Sequence, residues 1–234
     1  MSALASLPSL ENVTLGCFHY ERRSPGGEFP GLTNLLKSSS LRSIEFDGIQ
    51  FTRHVSWALQ AAFEEGSFVN NLRFTDCQCM GDDFTNELDT EEADNQISST
   101  LLALVQTLQR NSSVKTLSLV GNDFRGLFCD GISTTLLVNT TLVELTLLVK
   151  GTGQEGGGRW LQSLFSDMRI NKSLKSLAVD TFDLTDELVC GALRDMLVQN
   201  SVLESLTLHS PEDLDDTSVV SWRKTLPFIR DNAT

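Results

Sequence analysis

The stretch NSSVKTLSLV, residues 111–120, returns as NTTLVELTLL at 139–148, as NKSLKSLAVD at 171–180 and as NSVLESLTLH at 200–209. Beneath these copies lies Leu-x-x-Leu-x-Leu with conservative replacement. Seven segments carry it: Leu10/Val13/Leu15, Leu41/Ile44/Phe46, Val69/Leu72/Phe74, Val114/Leu117/Leu119, Leu142/Leu145/Leu147, Leu174/Leu177/Val179 and Leu203/Leu206/Leu208. Their starts lie 31, 28, 45, 28, 32 and 29 residues apart, so a unit near 29 recurs and one interval is longer by 16. The excess matches the acidic run 82–96, which reads as a loop inserted into the third repeat.

Within each segment the apolar residues end on a period of two, which predicts a short strand with Leu, Ile, Val or Phe on one face. Between segments the period changes. Residues 97–110 place Leu101, Leu104, Val105 and Leu108 at helical spacing, and residues 185–199 do the same with Leu188, Leu193 and Leu197. Thr185 is the expected N-cap of the second helix, with Asp186 and Glu187 as acids in its first turn. The unit is therefore strand, loop, helix, strand.

Asn12, Asn111, Asn139, Asn171 and Asn232 all sit in Asn-x-Ser/Thr acceptor patterns for an N-linked sugar. Four asparagines, Asn111, Asn139, Asn171 and Asn200, hold one place in the repeat, three residues before the first apolar residue of a segment. Asn200 keeps that place without an acceptor pattern. The recurrence is accordingly structural. Asn at a helix end is expected to adopt the left-handed conformation that returns the backbone to the last free carbonyls.

A lone strand-helix unit cannot bury its apolar face, whereas stacked units share a continuous core. The α/β chain is expected to be one domain, 1–234, a solenoid of about seven repeats with parallel strands inside the curve and helices outside. Its period and full helix per unit resemble the ribonuclease-inhibitor type of leucine-rich repeat, found also in the repeat regions of NLR-type receptors. That resemblance implies a horseshoe with strands on the concave side, helices on the convex side, and a role in binding other proteins. The family's Asn or Cys eight residues after the first Leu occurs only as Cys77 and Asn122; Phe18, Ile49, Lys150, Phe182 and Pro211 stand at the other equivalents.

Composition narrows the partners. Lys plus Arg number 18 against 31 Asp plus Glu, a net charge of -13, which repels nucleic acid and anionic membranes and favours encounter with a basic protein. The opening MSALASLPSL lacks the basic start and continuous apolar core of a signal peptide, and no run approaches the ~20 apolar residues of a membrane span. Cys17, Cys77, Cys79, Cys129 and Cys190 are odd in number and lack metal-type spacing, which suits reduced thiols in the cytoplasm or nucleus.

Chemistry-bearing motifs are few. Gly151-Thr-Gly153-Gln-Glu-Gly156 follows a strand and precedes a helix, with Asp180 at the end of the next strand, in the layout of a dinucleotide fingerprint. The same unit recurs without those glycines, so a nucleotide-binding enzyme using 151–158 is the remote alternative. His19, His54 and His209 fall in different repeats, so no catalytic or metal group is expected, and no cofactor. Trp57, Trp160 and Trp222 fall at roughly equivalent helix positions with apolar followers and are expected to pack in the core or between repeats.

The residues alternating with the buried ones remain, and the expected function lies there. They form columns on the exposed sheet face in which Glu45, Asp47, Glu144 and Asp180 outnumber Arg73, Val120 and Leu148 make a small apolar centre, and His209 closes one row. These eight residues are the candidate partner-binding set of a non-enzymatic module, a monomer or part of a longer chain, that takes a basic protein. A regulator that docks on an enzyme, as inhibitor or GTPase activator, is the alternative. The run 82–94, with seven acids and no base, is a solvated loop or a tether for the same partner.

Overall fold

A computed structural model describes Leu7 and residues 9–16, 30–51, 53–79, 103–122, 126–149, 157–180, 186–209 and 220–221. Strands β1 (Asn12–Gly16), β2 (Ser43–Asp47), β4 (Asn71–Thr75), β6 (Thr116–Asn122), β7 (Glu144–Val149), β8 (Ser176–Asp180) and β9 (Ser205–His209) are the seven repeated segments. They form one parallel sheet in sequence order, and β10 (Val220–Ser221) adds antiparallel to β9. Between strands run helices α1 (Pro30–Leu36), α2 (Arg53–Glu64), α3 (103–110), α4 (Gly126–Val138), α5 (Gly157–Met168) and α6 (Glu187–Gln199). Two further short strands, β3 (Gln50–Phe51) and β5 (Gln78–Cys79), pair in parallel beside the sheet.

The register follows the sequence repeat. Asn12 pairs with Ser43, Ser43 with Asn71, Asn71 with Thr116, Thr116 with Glu144, Glu144 with Ser176 and Ser176 with Ser205. Across the long interval β4 pairs directly with β6. Residues 80–102, with the acidic run 82–96 and the expected helix residue Leu101, lie outside the described part.

Because consecutive strands are neighbours and strand-helix-strand crossovers are right-handed, every crossover leaves its helix on the same side of the sheet. Burial agrees. Ile44, Phe46, Leu72, Phe74, Leu117, Leu119, Leu145, Leu147, Leu177 and Val179 are buried, while the alternating residues between them are exposed or half-buried. Phe46 and Phe74 stack across adjacent strands, with centroids 5.1 Å apart. The first apolar residue of each later segment (Leu41, Val69, Val114, Leu142, Leu174, Leu203) is buried two residues before its strand begins. There one carbonyl receives two amides from the next unit: Lys115 O accepts from Val143 N and Glu144 N, and Val143 O from Lys175 N and Ser176 N.

The asparagine column works through its side chains, which corrects the expected left-handed backbone. Asn200 is extended (φ -77, ψ 118), and among the described residues only Asp76 is a non-glycine at positive φ. Asn139 Oδ1 accepts from Thr141 N and Leu142 N at 2.9 and 2.8 Å, while its Nδ2 donates to Leu108 O and Asn111 O of the preceding unit. Asn200 repeats the arrangement onto Met168 O and Asn171 O, and Asn171 donates to Leu136 O. All four asparagines are buried, at 7% exposure or less. In the third unit Gly66 stands at that place, and the next residue, Ser67, donates to Leu36 O and accepts from Val69 N.

Three helix expectations change. The N-cap of α6 is Asp186, whose carboxylate accepts from Leu188 N, so the helix starts after the expected Thr185. Its buried residues are Val189 and Met196, and Leu188 is 64% exposed. Trp57 is 49% exposed, whereas Trp160 packs in the core at 3%. In α3 the expected Leu104, Val105 and Leu108 are buried.

Candidate binding face

With one side of the sheet under helices, the other side presents three rows of side chains set by the strand pleat. The first row runs through Asn71, Thr116, Glu144 and Ser176, the second through Glu45, Arg73, Ser118, Thr146 and Ala178, and the third through Asp47, Thr75, Val120 and Leu148. Asp180 and His209 extend the third row over β8 and β9. At the β9 end the alternation weakens, since Ser205 is buried.

The predicted residues gather into three groups. Glu45, Arg73 and the threonines form the first: Arg73 Nε donates to Thr75 Oγ1 at 3.1 Å and lies 3.1 Å from Glu45 Oε1, Thr75 Oγ1 donates to Glu45 Oε1 at 3.0 Å, and Thr14 Oγ1 to Glu45 Oε2 at 3.4 Å. This network crosses β1, β2 and β4. Asp47 stands beside Thr75 at the ends of the same strands and is exposed. Val120 and Leu148 form the second group as direct register partners, both half-buried. Asp180 and His209 form the third, again as register partners. Burial lowers the His209 pKa from its ordinary 6.5, which favours the neutral imidazole. Glu144 stands apart, exposed between Thr116 and Ser176.

Four acids thus face outward with one base, and that base is engaged by Glu45. Every inner strand spends its main-chain groups on its two neighbours. What the face can offer is side-chain contact: negative charge, hydroxyls and one apolar pair.

The chain leaves this sheet through a turn that the sequence reading passed over. Gly48, Asp76 and Gly121 hold the same place in successive units, seven residues after the first apolar residue, with φ of 60, 50 and 66. Gly48 N donates to Thr75 O and Asp76 N to Val120 O, both at 2.8 Å. The recurrence of glycine there was the available signal. Asp76 takes the left-handed conformation at a cost to an L residue of about 1 kcal/mol.

One residue later Cys77 and Asn122 meet. Asn122 Oδ1 accepts from Cys77 N at 2.8 Å and its Nδ2 donates to Phe74 O, while Cys77 Sγ donates to Phe46 O. Desolvation by burial pushes the Cys77 thiol up to about 11. Both side chains hold the turn and neither reaches the open face.

Cys17, His19, Cys129, Trp222, the loop at 151–156 and the acidic run 82–96 lie outside the residues whose side chains are described, as does that of His54. Among the described residues no three or more His, Cys, Asp or Glu gather into a metal-binding group, and no helix is long and apolar enough to cross a membrane. The sequence matches no family model and no curated protein.

Proposed function

We propose that this chain is a leucine-rich-repeat solenoid of the ribonuclease-inhibitor type, a horseshoe with its strands on the concave side, and that it works as a protein-binding module without chemistry of its own. Its partner is a basic protein, held on the open sheet face by Glu45, Asp47, Glu144 and Asp180 around the Val120–Leu148 pair. The observation that carries this reading is the makeup of the face: four outward acids against one base already engaged by Glu45, on a chain of net charge -13. Such a face gains its attraction from charge and so loses it as salt rises.

The test is affinity capture from native lysate with the natural chain and with a triple variant, Glu45→Lys, Asp47→Lys and Glu144→Lys, each at low and high salt. Basic proteins held by the natural chain, released by salt and missed by the variant are the expected result. Recovery of the same proteins by both chains would place the docking surface elsewhere.

A further inference from the structure

We infer that the occupant of the open face is a basic amphipathic helix lying across strands β6 to β9, seated on the second row. This rests on the reading of that face as a docking surface and specifies the shape of what docks there. An extended segment gains affinity by adding main-chain hydrogen bonds at a sheet edge. On the face itself those groups are already paired within the ladder, and an extended backbone laid there would leave its own donors and acceptors without partners. A helix satisfies its main chain internally and presents only side chains. At the β9 edge, β10 already occupies part of the ladder.

The relief of the face fits a helix. The second row over these strands is Ser118, Thr146, Ala178 and Thr207, all small and half-buried. On one side stands Glu144 in the first row; on the other stand Val120, Leu148 and Asp180 in the third. Rows one and three are four residues apart along a strand, roughly 13 Å, which admits a helix of about 10 Å diameter. The four strands span about 14 Å, or roughly ten helical residues. The helix would set apolar residues on Val120 and Leu148 and place Lys or Arg on both flanks, toward Glu144 and toward Asp180. Charge complementarity selects a basic segment, and the low floor lets its backbone come close.

Two labelled eighteen-residue peptides test this by fluorescence anisotropy with the full chain. One carries Lys and Leu at helical spacing on an Ala background; the second has the same sequence with proline at two central positions. The helical peptide is expected to bind about tenfold or more tightly than the proline peptide, because proline breaks the helix, and to weaken with salt and with Glu144→Lys. Ala178→Trp raises the floor without changing charge and is expected to weaken the helical peptide about tenfold, with circular dichroism showing the fold retained. If both peptides bind alike, or Ala178→Trp leaves binding unchanged, the helix is overturned while the acidic docking face stands. If neither peptide binds at low salt, both fall.

Discussion

Asn139 Nδ2 donates to Leu108 O at 2.8 Å, joining the end of one repeat helix to the end of the helix before it. The same side chain accepts from Thr141 N and Leu142 N, so a single amide closes its own turn and ties it to the neighbouring unit. Asn139→Ala leaves buried main-chain groups unpaired and is expected to cost about 2–4 kcal/mol in chemical denaturation. Asn139→Asp keeps the oxygen that accepts from Thr141 N and Leu142 N but sets a buried carboxylate oxygen against Leu108 O and Asn111 O, so at neutral pH it should cost at least as much as the alanine. Asn111 donates only to Ser113 Oγ among the described residues, so Asn111→Ala is expected to cost less than Asn139→Ala.

The same amide answers whether these acceptor patterns could carry sugar. Attachment replaces an Nδ2 hydrogen, and at Asn139 and Asn171 that nitrogen is buried and bonded to carbonyls of the preceding unit. A sugar there cannot coexist with the described packing.

Cys77 should resist modification in the folded chain. Its thiol is buried and raised from 9.0 to about 11, so little thiolate exists at pH 8, whereas Cys190 is exposed on α6. Alkylation at pH 8 followed by peptide mapping should label Cys190 and leave Cys77 unlabelled until denaturant is added. Because the folded value lies above the unfolded one, the contribution of this thiol to stability is present below pH 9 and is lost as the pH rises through 11. Cys77→Ser should flatten that alkaline decline relative to the natural chain.

How far the sequence led differs between strands and helices. Leu117 and Leu119 were legible as core because a strand has only two faces, and the residues between them are plainly more polar. The eight candidate face residues followed from the same alternation, and their row positions stand. A helix offers more choices. In α6 the adjacent pair Leu188 and Val189 gives two nearly equivalent apolar stripes, and the start at Asp186 turns Val189 inward and Leu188 out. The helix position of Trp57, with Phe63 following it, pointed to packing in the core or between repeats, but α2 already buries Val55, Ala58, Leu59, Ala62 and Phe63, and the indole is 49% exposed. The asparagine column was visible as a position, yet its mechanism was not, because a left-handed backbone and a bonding side chain leave the same trace in a sequence.

His209 predicts the opposite end of the pH scale. Burial lowers its pKa, so the unfolded chain binds a proton that the folded chain resists. Its contribution to stability is present above pH 6.5 and is lost as pH falls through the lower folded value. Denaturation midpoints measured across this window should fall toward acid in the natural chain, and less steeply in His209→Gln. Equal slopes would mean that the imidazole is as easily protonated in the fold as out of it.

Glu45 and Arg73 should matter little to stability. The carboxylate is 32% and the guanidinium side chain 51% exposed, and exposed ion pairs of this kind contribute about 0–1 kcal/mol. Their threonine partners spread the same charge over β1, β2 and β4 without adding burial. Glu45→Ala and Arg73→Ala are therefore each expected to shift the unfolding free energy by less than about 1 kcal/mol. The two changes should nonetheless differ in partner binding. Removing Glu45 takes an acid from the face and frees its one base, which weakens a basic partner twice over; removing Arg73 frees Glu45 and strengthens it. Opposite shifts in affinity on an unchanged fold are the signature of a face that works by charge, and parallel losses would show that the pair serves only as a packing element.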